Sequence, residues 1–140
     1  MRWLEAKMKW IMLVSGALTC TMIYAAIAPR EALRSNFGEA LEGPLAEIVV
    51  RNWGALIALV GAMLIHGAFN PSTRKLVLTV AGLSKVVFIG LVLTAGRMFL
   101  DEQVGTAVLI DAVMVLLFAT YLIGSRRATV GQTARQATEG

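Results

Sequence analysis

Residues 76–95 read LVLTVAGLSKVVFIGLVLTA, an unbroken apolar run with one charged residue, Lys85, near its middle. An α-helix rises about 1.5 Å per residue, so the run matches the roughly 30 Å hydrocarbon core of a bilayer. A soluble helix of this length would return a polar residue to one face every three or four positions, and this one does not. Inside lipid only a helix or a closed barrel satisfies every backbone group, and the two-residue alternation of a barrel strand is missing. The run therefore predicts a transmembrane helix.

Three more runs of the same kind lie outward from it: Val104 to Ile123 on one side, and Trp53 to Phe69 and Trp10 to Ala28 on the other. The second of the four extends back to Pro44 or Leu45, because proline suits the first turn of a helix and the apolar pattern continues through Leu45-Ala46-Glu47-Ile48-Val49-Val50. Composition agrees: 57% of residues are hydrophobic and 16% charged, with a mean hydropathy of +0.71. Ala26-Ile27-Ala28 has the small-x-small form of a signal-peptide cleavage site, but Trp10 to Ala28 is longer than a signal core and Pro29 would follow the cut. The first run is read as a retained anchor.

Orientation follows from the loops. Arg2, Lys7, Lys9, Arg74, Lys75, Arg126, Arg127 and Arg135 fall on one side, and Arg30, Arg34, Arg51 and Arg97 on the other. The richer side is expected in the cytoplasm of a bacterial inner membrane, with both termini. Between Pro29 and Gly43, Leu33, Phe37 and Leu41 recur at helical spacing, which predicts a short periplasmic helix on the membrane surface. Gly38 interrupts it, and Gly43-Pro44 turns the chain into the second span. The expected fold is an all-α membrane protein, four transmembrane helices in an antiparallel bundle over 1–127, with 128–140 a mobile cytoplasmic tail.

Lys85 and Asp111 carry the most information, because an ionisable group deep in a bilayer is costly unless paired, hydrated or neutral. Their depths differ by only about 3 to 5 Å on neighbouring antiparallel helices, so an intramembrane pair is expected. It reads first as a structural ion pair and second as a proton or ligand site. Glu47, Arg51, Arg97 and Asp101 should form a charged outer collar that sets helix ends. His66, on the side shared with Ala55, Leu59 and Ala62, reads as an interface histidine, with a proton relay as the sharper possibility. Ala17, Thr21 and Ala25 on the first span, and Gly54, Ala58 and Gly61 on the second, form small-residue stripes that should bring these helices together. Cys20 reads as a small interface residue. No phosphate loop, paired-histidine zinc helix or nucleophile elbow appears, and no metal or cofactor site is expected. The positive charge sits where topology needs it, and no basic stripe with interleaved aromatics suggests nucleic acid.

Pro44-Leu45-Ala46-Glu47, Arg51-Asn52-Trp53-Gly54-Ala55-Leu56 and Ala95-Gly96-Arg97 resemble bacterial four-helix inner-membrane proteins of unknown function that are distantly DoxX-like. The resemblance spans most of residues 10 to 123 and implies the architecture. Some DoxX-like proteins are subunits of quinone-linked sulfur oxidation, chemistry that one cysteine does not recommend here. The first functional expectation is a non-catalytic membrane component, a homo-oligomer or an accessory subunit, whose stripes and collar make contacts. The alternative is a small oligomeric proton-coupled transporter or a lipid- or quinone-binding protein using Lys85 and Asp111. A membrane enzyme, the third possibility, would need the collar to line a pocket.

Overall fold

The computed structural model describes residues 2–138 and is helical throughout, with no strand among those residues. The elements in order are α1 (Arg2–Cys20), α2 (Ile23–Ile27), α3 (Pro29–Phe37), α4 (Pro44–Phe69), α5 (Pro71–Ala95), a 3-10 turn (Arg97–Phe99) and α6 (Gln103–Thr138). Four helical segments are long and apolar enough to cross a membrane: Glu5–Ile27, Pro44–Phe69, Pro71–Ala95 and Gln103–Thr138.

Local chemistry explains where the helices start and stop. Gly38 ends α3 with φ 74°, a left-handed conformation that glycine adopts without a Cβ penalty. Gly43, at φ 103°, turns the chain into α4, and Pro44 occupies its first turn. A single residue, Asn70, separates α4 from α5; it is extended at φ −118°, as a residue before proline prefers, and Pro71 then starts α5. The helices start earlier than the apolar runs alone suggest: α5 begins at Pro71 rather than Leu76, and α1 begins before Trp10. The segment read as a tail continues α6 as far as Thr138; residues 139 and 140, like residue 1, lie outside the described residues.

The first span is not one regular helix. Thr21 N–H donates to Leu18 O and Met22 N–H to Thr19 O, both at 3.2 Å, so the ladder tightens from four-residue to three-residue bonding. The Thr21 hydroxyl also donates to Leu18 O, at 2.5 Å, and this competition for the carbonyl separates α1 from α2.

The most extensive packing is α1 with α4, followed by α5 with α6, α2 with α4 and α4 with α5. Glycine sets how closely α1 and α2 approach α4: a Cβ on Gly61 would fall 2.7 Å from Cys20 N and 2.8 Å from Gly16 O of α1, and one on Gly54 would fall 2.7 Å from Ala26 N of α2. Backbones this close gain dispersion contacts along their length, which is how helices associate where lipid is as apolar as leucine. One core cluster joins Met8 and Met12 of α1, Leu64 and Ala68 of α4, Val77, Leu78 and Ala81 of α5, and Met114 and Phe118 of α6. A smaller cluster joins Ala25, Ala32, Leu33 and Val50 beneath α3. Large apolar side chains elsewhere, such as Leu59, Leu83 and Leu116, point outward, the pattern of a protein surrounded by lipid.

Candidate functional site

α5 places Lys85 on the same inward stripe as Val77, Leu78, Ala81 and Val92, so the sequence spacing that buries these aliphatic residues also buries the lysine. On α6, Asp111 lies between the buried Val104 and the buried Met114 and Phe118. The two side chains meet: Lys85 Nζ donates to Asp111 Oδ1 at 2.5 Å, with the side chains 8% and 18% exposed. The residual exposure of the aspartate has a cause. Both residues line a cavity of about 380 Å³ to which every α-helix except α2 contributes, together with the Thr21–Met22 break.

The cavity has apolar walls from Ile57, Val60, Phe88 and Ile110, and polar groups at several levels: Asn36, Ser84, Gln103 and Thr106. Phe37 of α3 covers one end. Its ring packs against Trp53, with centroids 6.3 Å apart, and edge-on against Phe99, at 5.5 Å and 87°. At the other end Met114, which lines the cavity, belongs to the cluster of Met12, Leu64, Leu78 and Phe118, and this packed apolar layer closes the floor beyond the ion pair.

Thr106 differs from the other threonines. The hydroxyls of Thr19, Thr21, Thr73, Thr79, Thr94, Thr120, Thr129, Thr133 and Thr138 each donate to a carbonyl three or four residues back. Thr106 and Ser84, which both line the cavity, make no such bond among the described residues, so both hydroxyls are free to meet a ligand or water. The lysine ammonium has three donors, of which Asp111 takes one, and the carboxylate keeps acceptor capacity on its second oxygen. The site therefore offers donors and acceptors side by side with no net charge.

The chain matches no known family. No family model, no curated protein and no solved structure aligns with it.

The outer charges do not assemble into a collar. Glu47 accepts from Arg30 Nη2 at 3.1 Å instead of pairing with Arg51 four residues on. Arg51 Nη1 donates to the Ala26 and Ile27 carbonyls at 2.7 and 3.1 Å, because the chain leaves helical geometry at Ala28 and these acceptors lose their partners. Arg97 Nε donates to Leu93 O on its own chain segment, at 2.7 Å, and Asp101 is exposed with no ion-pair partner among the described residues. Each cation of this group is used on backbone, so the collar expected from Glu47, Arg51, Arg97 and Asp101 is corrected to separate helix-end contacts.

Two further expectations change in detail. His66 is exposed, with Nδ1 3.4 Å from the Asn70 side-chain nitrogen, and it does not line the cavity. Leu59 and Ala62 are exposed with it, since α4 turns Gly54, Gly61, Leu64 and Ala68 inward; this stripe faces outward from the chain's own helices. On the first span Ala17 and Thr21 are exposed, and Gly16 and Cys20 take the close approach to Gly61. Ala25 does meet Gly54, a Cβ there falling 2.7 Å from Ala25 Cβ. Cys20 sits in this seam, its thiol 3.6 Å from the Ala58 carbonyl.

Sequence reasoning missed Arg74, which it counted only as a loop charge. Arg74 is 4% exposed, and its Nε and Nη2 donate to Gly67 O and Ala68 O at 3.3 and 3.1 Å. A cation at the carboxyl end of α4 completes orphan carbonyls and complements the helix dipole. The signal was available: Arg74 lies just past Asn70-Pro71, within reach of the helix it follows.

Proposed function

We propose that this chain is an inner-membrane protein that binds a small membrane-soluble ligand, a lipid or quinone, in the cavity at Lys85 and Asp111. The four long apolar helices cross the bilayer as an antiparallel bundle, with both termini cytoplasmic and α3 on the periplasmic side; the distribution of Lys and Arg supports this orientation. The distant DoxX-like resemblance belongs to the proposal as architecture alone.

The observation that carries the reading is that the ion pair opens onto a cavity instead of being sealed among aliphatic side chains. A volume of about 380 Å³ lies in the range of small-molecule sites, and apolar walls with a few convergent polar groups are the usual lining of such sites. The pair is largely buried, yet both side chains border open space, where the polar head of a ligand can reach them and offset part of the desolvation cost. The packed layer of Met12, Leu64, Leu78 and Phe118 beyond the pair favours binding from one side over a path through the protein. The features that support a self-associating or accessory component are spent within the chain: Gly54 and Gly61 on the α1–α2 segment, Arg51 on Ala26 and Ile27.

The test is native mass spectrometry of the full chain released directly from its own membranes. The wild-type protein should carry a ligand mass that Ala107→Phe, which fills the cavity, loses. The same set of adducts on both proteins would refute the reading.

A further inference from the structure

Around the cavity the helix pairs differ in how firmly they meet. α1 packs along α4, α4 along α5 and α5 along α6, whereas α6 and α1 make the slightest contact of these neighbours. They share the core near Met12 and Met114, and α3 bridges from α2 to α6 at the other end of the cavity. Between these two closures lies an open seam. Six cavity-lining residues are themselves exposed, and four of them stand on its two banks: Leu18 of α1 with Thr21 just past its end, and Thr106 and Ile110 of α6. Leu18 and Ile110 are 47% and 41% exposed, which gives the seam an apolar edge. Its direction is lateral, out of the side of the helices, where the proposed function puts acyl chains.

The inner surface of the cavity restricts what can enter. Lys85 and Asp111 compensate each other at 2.5 Å. An anionic head group on Lys85 would compete with a carboxylate already in place, and a cationic head on Asp111 would compete with the ammonium. Either would leave a net charge in a weakly polar enclosure. A neutral hydroxyl or carbonyl has no such conflict: its oxygen accepts a free N–H of Lys85, and a hydroxyl proton can go to the second oxygen of Asp111. The unbonded Thr106 and Ser84 hydroxyls add two more groups of the same neutral type.

Building on the ligand-binding reading above, we infer that the ligand is an amphiphile with an uncharged hydrogen-bonding head, which enters laterally from the bilayer through the α1–α6 seam. Its head rests at Lys85 and Asp111, and its chain leaves between Leu18 and Ile110 into lipid.

The experiment uses the full chain in phosphatidylcholine nanodiscs with three photoactivatable probes of equal chain length, each carrying a diazirine next to the head: an alcohol, a sulfonate and a trimethylammonium. Labelling is mapped by peptide mass spectrometry. The alcohol should label the Thr106–Met114 stretch several-fold more than either charged probe. Asp111→Asn leaves an unpaired cation and should shift preference to the sulfonate; Lys85→Met should shift it to the trimethylammonium. Ile110→Trp, at the edge of the seam, should reduce alcohol labelling without disturbing the pair, and helical circular dichroism verifies that each variant is folded. Equal labelling by all three probes would overturn the neutral head group while leaving a binding site. Undiminished labelling in Ile110→Trp, with a short water-soluble alcohol probe competing as well as the long-chain one, would overturn lateral entry. If no probe labels the cavity of the folded wild-type protein, both this inference and the binding function fall.

Discussion

Gly61 offers a direct test of how the first and second spans are held. A methyl group there would lie 2.7 Å from the Cys20 nitrogen and thiol and 2.8 Å from the Gly16 carbonyl oxygen. Ordinary contact begins at 3.4 Å, so the nearest approach is about 0.7 Å too short. Two of the three obstructing atoms belong to backbone, which cannot rotate away as a side chain can, so α1 must retreat along the seam. Overpacking of this kind costs about 1 to 3 kcal/mol, against which alanine regains about 0.5 to 1 kcal/mol of helix propensity. Gly61→Ala should therefore lose about 1 to 2 kcal/mol. Gly90→Ala is the control: nothing lies within 4 Å of its added methyl, so only the propensity gain of about 0.5 to 1 kcal/mol remains. The two variants should differ by about 2 kcal/mol in opposite directions from wild type. Reversible unfolding by SDS in mixed micelles, followed by far-ultraviolet circular dichroism, measures both. Equal stabilities would refute the close-approach argument, and so would a Gly61→Leu variant no worse than Leu56→Ala, since Leu56 is 53% exposed.

Asp111→Asn and Lys85→Met should each destabilise the protein by about 1 to 3 kcal/mol, and a double-mutant cycle with Asp111→Leu and Lys85→Met should return a coupling of at least about 1 kcal/mol; a coupling near zero in the same SDS titration would dissolve the pair. Arg74→Met should cost about 2 kcal/mol, because Gly67 O and Ala68 O lose charge-assisted donors, and Arg74→Lys should recover only part, having no planar fork to reach both. In a Cys20→Ser background, a cysteine at Thr133 should be unreactive to a membrane-impermeant maleimide in intact cells and reactive after lysis; labelling before lysis would invert the proposed orientation.

The start of α4 and the end of α3 were legible, because Pro44 and Gly38 act through rules that need only neighbouring residues, whereas apolar runs alone placed the starts of α1 and α5 too late and the end of α6 too early. The meeting of Lys85 and Asp111 was legible for a related reason: depth in a helix is a count of residues, and a short connection makes α5 and α6 neighbours. The first-span stripe was not. A helical wheel through Ala17, Thr21 and Ala25 assumes one continuous ladder, and the Thr21–Met22 interruption breaks it, so Ala25 faces α4 while Gly16 and Cys20 replace the other two. The collar failed because sequence displays charges and hides backbone acceptors: Arg51 is held by carbonyls that become free only where α2 ends, and Arg74 by those at the end of α4. The cavity was beyond a sequence reading altogether, since it depends on α1 and α6 standing apart, a property of no single segment.

α6 runs without a break from Gln103 to Thr138, 36 residues. That is about 54 Å of rod, well beyond the thickness of the hydrocarbon. Phe118 is its last fully buried residue and lies in the core cluster shared with α1, α4 and α5, which makes it the natural fulcrum. From that fulcrum Asp111 stands about 10 Å to one side and Thr138 about 30 Å to the other. Any tilt that widens the cavity by a given amount at Asp111 is thus magnified about threefold at Thr138. In mechanical terms the wall of the cavity and the far end of α6 are the short and long arms of one lever.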